Sequence, residues 1–300
     1  SLLALAAQAV QALKRVNRDP PVQVIKTVAA MHSARLSMQS PVAVVPTLGG
    51  LHAGHEALLH AARERAKSVV ATLFLNPKQF GENEDLERYP ADRDRDLAIM
   101  RSAGVNAVFA PSVDEIYPPG DTFTVNPGPI GDVLEGALRP GHFRAVATVV
   151  AKLFNATRPD LAYFGEKDAQ QLEVVRRMAH DLRFEIDVVP VKTVRDENGV
   201  ALSSRLAYLS EKERVAAEIV YTSLCSARDR WAGRERAASA LESDMRTVIQ
   251  SEPLATLDYA AVIDPETFEP HRGPIPSTGA LALVAVRIGT TRLIDNLRLN

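Results

Sequence analysis

The chain has 300 residues, of which 46% are hydrophobic and 24% are charged, a mixture typical of globular proteins with one large or two ordinary domains. Its 35 basic and 37 acidic residues give a formal net charge of -2, so the chain lacks the overall basic character of proteins that bind duplex nucleic acid or anionic membranes. A single cysteine, Cys225, excludes an intrachain disulfide and favours a cytoplasmic location. No apolar run approaches the roughly 20 residues that a membrane-spanning helix needs.

The first 21 residues are predicted to form a helical extension. The segment "SLLALAAQAVQALKRV" is amphipathic, with leucine and alanine alternating with glutamine, and it lacks the basic start of a signal peptide. We therefore expect the main domain to begin near Val22.

From residue 22 onward, short apolar runs alternate with helical patterns. The predicted strands cover residues 22–26, 42–46, 68–76, 106–111, 161–165 and 184–191, and the predicted helices cover 27–37, 55–66, 91–104, 141–158 and 168–182. Alternation of this kind indicates a parallel sheet with helices on both faces, and strands without polar alternation are typical of such sheets. The prediction is an α/β fold with a Rossmann-like, doubly wound parallel sheet.

The pattern changes after about residue 193. The Asn-Gly turn in "RDENGV" precedes two helical segments at about 210–250 and two strand-like runs, "LDYAAVID" and "ALALVAVRIG". We expect a first domain at 22–193 and a smaller C-terminal α+β domain, acting as a lid, at 194–300.

The stretch "VVPTLGGLHAGH" places two histidines, His52 and His55, between a predicted strand and a helix. Open α/β sheets bind ligands at the carboxyl ends of their strands, and a helix N-terminus favours anions. The glycine spacing fits neither the dinucleotide fingerprint nor a P-loop. Simple helix capping and metal binding are alternative interpretations, although no cysteine and no "HExxH" pattern accompany the pair.

Three further motifs carry polar groups. "FLNPKQF" offers Asn76 and Gln79 as neutral hydrogen-bonding groups at a strand end, whereas the following "ENEDLE" is predicted to be a solvated acidic loop. "RPGHF" puts Arg139 and His142 before an apolar helix, where positive charge opposes the helix dipole unless an anion lies nearby. A solvent-facing basic turn is the alternative for "RPGHF", and plain loop residues are the alternative for "FLNPKQF".

"YFGEKDAQQ" is a second junction between a strand and a helix. Lys167 offers a cation for polyphosphate, and Asp168 is predicted to cap the helix or to hold a hydroxyl group, with Gln171 on the same helix face. "LSSR" near the domain junction offers two hydroxyls and the guanidinium of Arg205, which together suit a phosphate. A capped helix with a solvated lysine, and a common Ser-Ser-Arg tripeptide, are the alternatives.

In this order, these motifs resemble those of the pantothenate synthetase (pantoate–β-alanine ligase) family, within the nucleotidyltransferase superfamily that carries an HxGH motif. The resembling blocks are "PTLGGLHAGH", "FLNPKQF", "DLERYP", "RPGHF", "YFGEKDAQQ" and "LSSR", and the resemblance extends from about Val22 to Asn296. It implies that pantoate and Mg-ATP form pantoyl adenylate and pyrophosphate, and that β-alanine then releases pantothenate and AMP. A cytoplasmic homodimer without nucleic-acid or membrane partners is also implied.

The resemblance implies three groups of site residues. The catalytic group is His52, His55, Lys167, Ser203, Ser204 and Arg205. The ATP-binding group adds Pro46, Thr47, Leu48, Gly54, Gly165, Asp168, Val194 and Leu202. The group for pantoate and β-alanine is Leu48, Asn76, Gln79, Tyr89, Arg139, His142 and Gln171. Mg²⁺ is expected to be held by the phosphates of ATP, without a set of protein ligands and without an organic cofactor.

Four positions depart from the family pattern. Leu48 replaces a methionine, Ala145 a glycine, Ala169 an aromatic residue and Leu206 an asparagine. Loss of the ring at 169 is expected to leave a hole unless a neighbour fills it, and Leu206 removes hydrogen-bonding capacity beside the "LSSR" motif. Two alternatives therefore stay open: another nucleotidyltransferase with the HxGH motif, or a degenerate nucleotide-binding member with weak or no activity.

Overall fold

The computed structural model describes residues 22–82, 84–271 and 273–300. The predicted helical extension, residues 1–21, lies outside the described residues. Within the described ranges, no helix combines the length and the apolar character needed to cross a membrane.

A six-stranded parallel sheet forms the first part of the structure. Its strands are β1 (Gln23–Ile25), β2 (Val42–Thr47), β3 (Ser68–Leu73), β4 (Ala107–Phe109), β5 (Leu161–Gly165) and β6 (Asp187–Val191). Their order across the sheet is β1-β4-β3-β2-β5-β6, and every pairing is parallel. The chain therefore reverses its winding direction between β2 and β5, which makes the carboxyl ends of these two strands the switch point where such sheets bind ligands.

Helices cover both faces of this sheet. They are α1 (Val28–Ser37), α2 (Ala53–Arg65), α3 (Arg93–Ser102), α4 (Val113–Ile116), α5 (Glu135–Leu138), α6 (His142–Thr157) and α7 (Ala169–Asp181). Successive residues of β2 point to opposite faces: Val42 and Val44 belong to the core under α1, α6 and α7, while Ala43 and Val45 belong to the core under α2 and α3. The doubly wound prediction is confirmed, and burial on both faces explains why these strands carry no polar alternation.

The C-terminal part contains α8 (Glu211–Ala232), α9 (Ala238–Gln250) and a three-stranded antiparallel sheet. Its strands are β7 (Ala255–Ile263), β8 (Ala280–Ile288) and β9 (Thr291–Leu299). One face of this sheet packs on α8 and α9, whereas Ile263, Leu281 and Leu283 on the other face join the core of the first part. The smaller α+β unit is confirmed, while the boundary at 193/194 stays a prediction.

The differences from the predicted elements lie at their ends and in short segments. β3 stops at Leu73 instead of residue 76, because Asn76 caps a 3-10 turn over Pro77–Gln79. Further 3-10 turns cover Leu86–Arg88, Gly128–Gly131, Glu166–Asp168 and Ser204–Tyr208. The helices α4 and α5 were not predicted, since four residues are too few for a helical period to be seen in the sequence.

Candidate active site

A cavity of about 250 Å³ opens at the carboxyl ends of β2 and β5, and a second cavity of about 580 Å³ adjoins it on the side of β9. The two cavities share eight lining residues, among them Lys167, Ser203 and Arg205. The first cavity thus lies at the switch point of the sheet, and the second extends from it towards the C-terminal part.

The structure brings all of the predicted site residues to this first cavity. It is lined by Pro46, Thr47, Leu48, His52, Gly54, His55, Asn76, Gln79, Tyr89, Arg139, His142, Gly165, Lys167, Asp168, Gln171, Val194, Leu202, Ser203, Ser204 and Arg205. The lining residues that the sequence reasoning missed include Lys192 and Thr193, which directly follow β6. The strand-end rule that selected the other motifs applies to this pair as well. Val146, Val149, Val150 and Leu153 also line the cavity, but their helical spacing on α6 is that of ordinary core residues.

The two histidines form a reciprocal cap at the start of α2. His52 is the N-cap residue, and its Nδ1 accepts a hydrogen bond of 3.1 Å from the backbone N–H of Gly54. The Nδ1 of His55 accepts a bond of 3.3 Å from the backbone N–H of His52. Because a backbone N–H can only donate, Nδ1 of each ring is unprotonated, and each neutral imidazole carries its proton on Nε2. The capping alternative and the ligand-binding hypothesis are therefore compatible, since the cap uses only one nitrogen of each ring.

Burial keeps both imidazoles neutral. Burial, reinforced by the charge of Lys167, lowers the pKa of His52 to about 4. Burial and the neighbouring His52 lower the pKa of His55 to about 3. At neutral pH the pair therefore acts as two uncharged N–H donors at the positive end of a helix dipole, rather than as two imidazolium cations.

The glycine loop before the histidines is held by Asp96, a residue that the sequence reasoning missed. Its two carboxylate oxygens accept hydrogen bonds of 2.8 Å each from the backbone N–H groups of Gly50 and Leu51, and the residue is 1% exposed. Gly50 has a φ of +68°, and a Cβ there would lie 2.5 Å from the carbonyl oxygen of Pro90. The loop thus depends on a left-handed backbone and on a buried carboxylate from α3.

The "LSSR" motif reaches the same loop from the C-terminal side. The hydroxyl of Ser204 donates to the carbonyl oxygen of Gly50 at 3.0 Å, whereas the Oγ of Ser203 accepts from the backbone N–H of Arg205 at 3.3 Å. The proton of Ser203 consequently stays available for a ligand, while that of Ser204 joins the motif to the loop. Arg205 makes two hydrogen bonds to Asp85, at 3.0 and 2.8 Å.

Arg139 and His142 also have protein partners. Arg139 donates two bonds of 2.6 Å to the carboxylate of Glu84 and one of 3.0 Å to the Nε2 of His142. The Nδ1–H of His142 donates to the carbonyl oxygen of Gln79 at 2.9 Å, and burial followed by the charge of Arg139 lowers the pKa of His142 to about 4. Glu84 is therefore an anion that explains the positive charge before α6, and these side chains support Gln79.

The prediction of a solvated acidic loop at "ENEDLE" is wrong for two of its residues. The side chains of Glu84 and Asp85 are only 25% and 12% exposed, because they pair with Arg139 and Arg205. Burial raises the pKa of both carboxyls, but the hydrogen bond and charge of the partner arginine outweigh it and lower the pKa overall. The loop therefore supplies the counter-charges of the two arginines that line the cavity.

Lys167 is fixed from the C-terminal sheet. The side-chain amide of Asn296 on β9 donates bonds of 2.9 Å to the carbonyl oxygens of Glu166 and Lys167. The Nζ of Lys167 lies 3.6 Å from Asp168, whose side chain is 45% exposed. Asp168 does occupy the N-cap position of α7, but its side chain makes no capping hydrogen bond, so the predicted capping role is wrong.

The chemistry of the cavity suits a polyphosphate next to a polar organic group. Cations and neutral N–H or O–H donors meet at the switch point, whereas neutral amides from Asn76, Gln79 and Gln171 line the cavity together with apolar side chains of α6. Among residues 22–82, 84–271 and 273–300, no group of three or more His, Cys, Asp or Glu side chains is placed to hold a metal ion.

Comparisons with known proteins agree on one family. The pantoate-beta-alanine ligase family matches residues 23–298. The chain belongs to this family. It is 49% identical over 275 residues to the pantothenate synthetase of Roseiflexus sp. strain RS-1, covering 92% of this chain and 98% of the relative. The resemblance seen in the sequence motifs is thereby confirmed.

Solved structures of the family have the same fold. The pantothenate synthetase from Thermus thermophilus is 45% identical with a TM-score of 0.87, and the match covers 93% of this chain and 99% of that one. A pantoate-beta-alanine ligase from Francisella tularensis, 29% identical with a TM-score of 0.75 over 93% and 98% of the chains, was solved in complex with beta-gamma ATP and β-alanine.

Of the four departures from the family pattern, only Leu48 lines the first cavity. Ala169 packs against the core beneath α6 and α7, and Leu206 packs against the core of the C-terminal part. Leu206 thus acts as an apolar anchor for the turn that carries Ser204 and Arg205. Nothing in the structure explains the alanine at position 145.

Proposed function

We propose that the protein is an ATP-dependent pantoate–β-alanine ligase that works through pantoyl adenylate. In the first step a carboxylate oxygen of pantoate forms a bond to the α-phosphorus of ATP, and the bond from that phosphorus to the bridging oxygen breaks, releasing pyrophosphate. In the second step the amine of β-alanine attacks the acyl carbon and loses a proton, and the bond to AMP breaks. Pantothenate and AMP are the products.

The observation that carries this proposal is the pair of neutral N–H donors at the N-terminus of α2, beside Lys167 and the "LSSR" motif. Adenylate formation builds negative charge on the phosphate oxygens, and donors fixed in advance at that point lower the barrier. The Nε2–H groups of His52 and His55 take this role in the proposal. Lys167, Ser203 and Arg205 hold the phosphates, and Ser204 fixes the glycine loop against the same motif.

The other site residues complete the proposal. Pro46, Thr47, Leu48, Gly54, Gly165, Asp168, Val194 and Leu202 surround the nucleotide, and Leu48, Asn76, Gln79, Tyr89 and Gln171 surround pantoate. Arg139 and His142 support that pocket through Gln79. Mg²⁺ enters with ATP, held by phosphate oxygens. A division into domains at 193/194, with the second domain acting as a lid, a homodimer and a cytoplasmic location belong to the same proposal.

The test is AMP formation that depends on both pantoate and β-alanine. His52→Ala and His55→Ala are each expected to lower kcat about 10²–10³-fold, the usual cost of one lost transition-state donor. His60→Ala is the matched control, because His60 is exposed on the same helix. Equal turnover in all four proteins would remove the role of the histidines.

Two other results would change the assignment. A parent protein that binds Mg-ATP but forms no AMP would be a degenerate member of the family. Pyrophosphate release with a different acid, but not with pantoate, would make it another nucleotidyltransferase of the superfamily.

A further inference from the structure

A chain of hydrogen bonds runs from Tyr117 to the wall of the first cavity. The hydroxyl of Tyr117 donates to the Oδ1 of Asn76 at 2.9 Å, and the Nδ2 of Asn76 donates to the Oε1 of Gln79 at 3.1 Å. Asn76 is fully buried and Tyr117 is 7% exposed. Gln79 and Asn76 line the cavity, but Tyr117 does not, so Tyr117 reaches the site only through Asn76.

The direction of this chain is fixed by a backbone group. The N–H of Lys78 points at the Oδ1 of Asn76, at 3.3 Å. Because a backbone N–H can only donate, the atom facing it is the amide oxygen, and the other side of Asn76 is its NH₂ group. That NH₂ group requires an acceptor, so Gln79 turns its oxygen towards Asn76. The Nε2 of Gln79 consequently has no hydrogen-bond partner among the described residues.

Tyr117 is itself held as a donor. Burial, followed by the nearby Asp121, raises the pKa of its hydroxyl to about 12, so the group stays protonated at neutral pH. The Nζ of Lys78 lies 3.9 Å from the centre of its ring and the Nζ of Lys152 lies 5.1 Å away. Lys152 is in turn bound to the carbonyl oxygen of Ile116 and to Asp121, at 2.9 and 2.6 Å. The ring is therefore confined, and its hydroxyl has one well-defined direction.

We propose that Tyr117 is a positioning residue that, acting through Asn76, holds Gln79 with its Nε2 amide group towards the substrate. The pocket then presents the two N–H donors of the Gln79 amide group at this point and favours a substrate group that can accept a hydrogen bond there, such as a carboxylate or hydroxyl oxygen of a hydroxy acid. An amide NH₂ or an ammonium group at the same point would only donate, so it could not form a hydrogen bond with the NH₂ group of Gln79. This inference rests on the proposed function, in which Gln79 contacts pantoate.

The first experiment is Tyr117→Phe, which removes the hydroxyl and keeps the ring between the two lysines. The backbone N–H of Lys78 still faces Oδ1, but the shorter of the two hydrogen bonds to this atom is lost, so the side chains of Asn76 and Gln79 are held less firmly. We expect the KM for pantoate to rise about tenfold, or ~1.4 kcal/mol, while the KM for ATP stays unchanged and the melting temperature falls by a few degrees at most, because one neutral hydrogen bond is lost. Tyr221→Phe removes a hydroxyl outside the first cavity, on α8, and is the matched control.

The second experiment is a double-mutant cycle with Gln79→Ala, measured as single turnovers with excess enzyme. If Tyr117 acts through Gln79, Tyr117→Phe has no further effect on pantoate dependence once Gln79 is alanine. Additive effects, an unchanged KM for pantoate in Tyr117→Phe, or equal changes in the KM for pantoate and ATP would overturn the inference. Failure of the proposed function gives different results. If the protein is not this ligase, the parent protein forms no pantothenate. If Gln79 does not contact pantoate, Gln79→Ala leaves the dependence on pantoate unchanged.

Discussion

Replacing Asp96 with asparagine is the sharpest test of how the glycine loop positions the histidines. Both carboxylate oxygens accept buried backbone N–H bonds of 2.8 Å, from Gly50 and Leu51, and Leu51 directly precedes His52. Asparagine keeps one acceptor and turns an NH₂ group towards the second N–H. Hydrogen bonds to charged groups contribute about 1.5–3 kcal/mol each, so we expect the free energy of unfolding to fall by about 2–3 kcal/mol.

The loss has a thermal and a kinetic readout. At about 2–4 °C per kcal/mol for a chain near this size, the melting temperature should fall by about 4–12 °C. The kcat for AMP formation should fall about tenfold, since a shifted Leu51 moves His52, the N-cap residue whose Nε2–H is proposed to donate to the phosphate. Asp94→Asn makes the same charge change on an exposed position of α3 and is the control. If the two variants melt and turn over alike, Asp96 does not hold the loop and the reasoning fails.

Three further results are expected. Because the pKa values of His52 and His55 are lowered in the folded state, the unfolded chain binds more protons than the folded chain below pH 6.5. The contribution of the two neutral rings to stability is therefore complete above pH 6.5 and is lost towards pH 3–4. Replacing both histidines with asparagine should flatten the fall of the melting temperature between pH 7 and pH 5. Gly54→Ala places a Cβ 2.8 Å from Cε1 of His52, so the imidazole must shift. This shift should lower kcat about tenfold and leave the KM for pantoate unchanged. Gly273→Ala is the control and should have no effect, because a Cβ there meets no atom within 4 Å. Arg205→Lys removes the paired N–H donors of the guanidinium, which now bind the two carboxylate oxygens of Asp85. It should raise the KM for ATP about tenfold and change the KM for pantoate little. An equal rise in both KM values would contradict a phosphate role.

The sheet and the position of the site were predictable because their signals are local. β2, β3 and β5 are mostly apolar runs, each with glycine or polar residues within a few positions of its end. Strand-end chemistry is enough to place His52, Gln79 and Lys167 at one edge of a parallel sheet. The roles proposed for individual residues rest on the order of the motifs and their resemblance to a family, not on periodicity, and they stay predictions.

Long-range pairing was not predictable. Asp96 is one of three aspartates in "DRDRD", and nothing in that pattern tells the buried one from its exposed neighbours. Glu84 and Arg139 are separated by 55 residues, and Asp85 and Arg205 by 120. An acidic loop therefore looks solvated until the fold brings its partners to it.

The pairing of Arg205 with Asp85 of its own chain affects the energetics of phosphate binding in the proposed function. A phosphate that approaches the guanidinium of Arg205 meets a charge that Asp85 already neutralises, so its arrival exchanges one anion for another and gains less free energy than it would from an unpaired cation. If pyrophosphate leaves this arginine as the proposed function requires, Asp85 is close enough to pair with the guanidinium again, so no uncompensated buried charge remains. In the proposed function, Asp85 would therefore limit the affinity for pyrophosphate and favour its release.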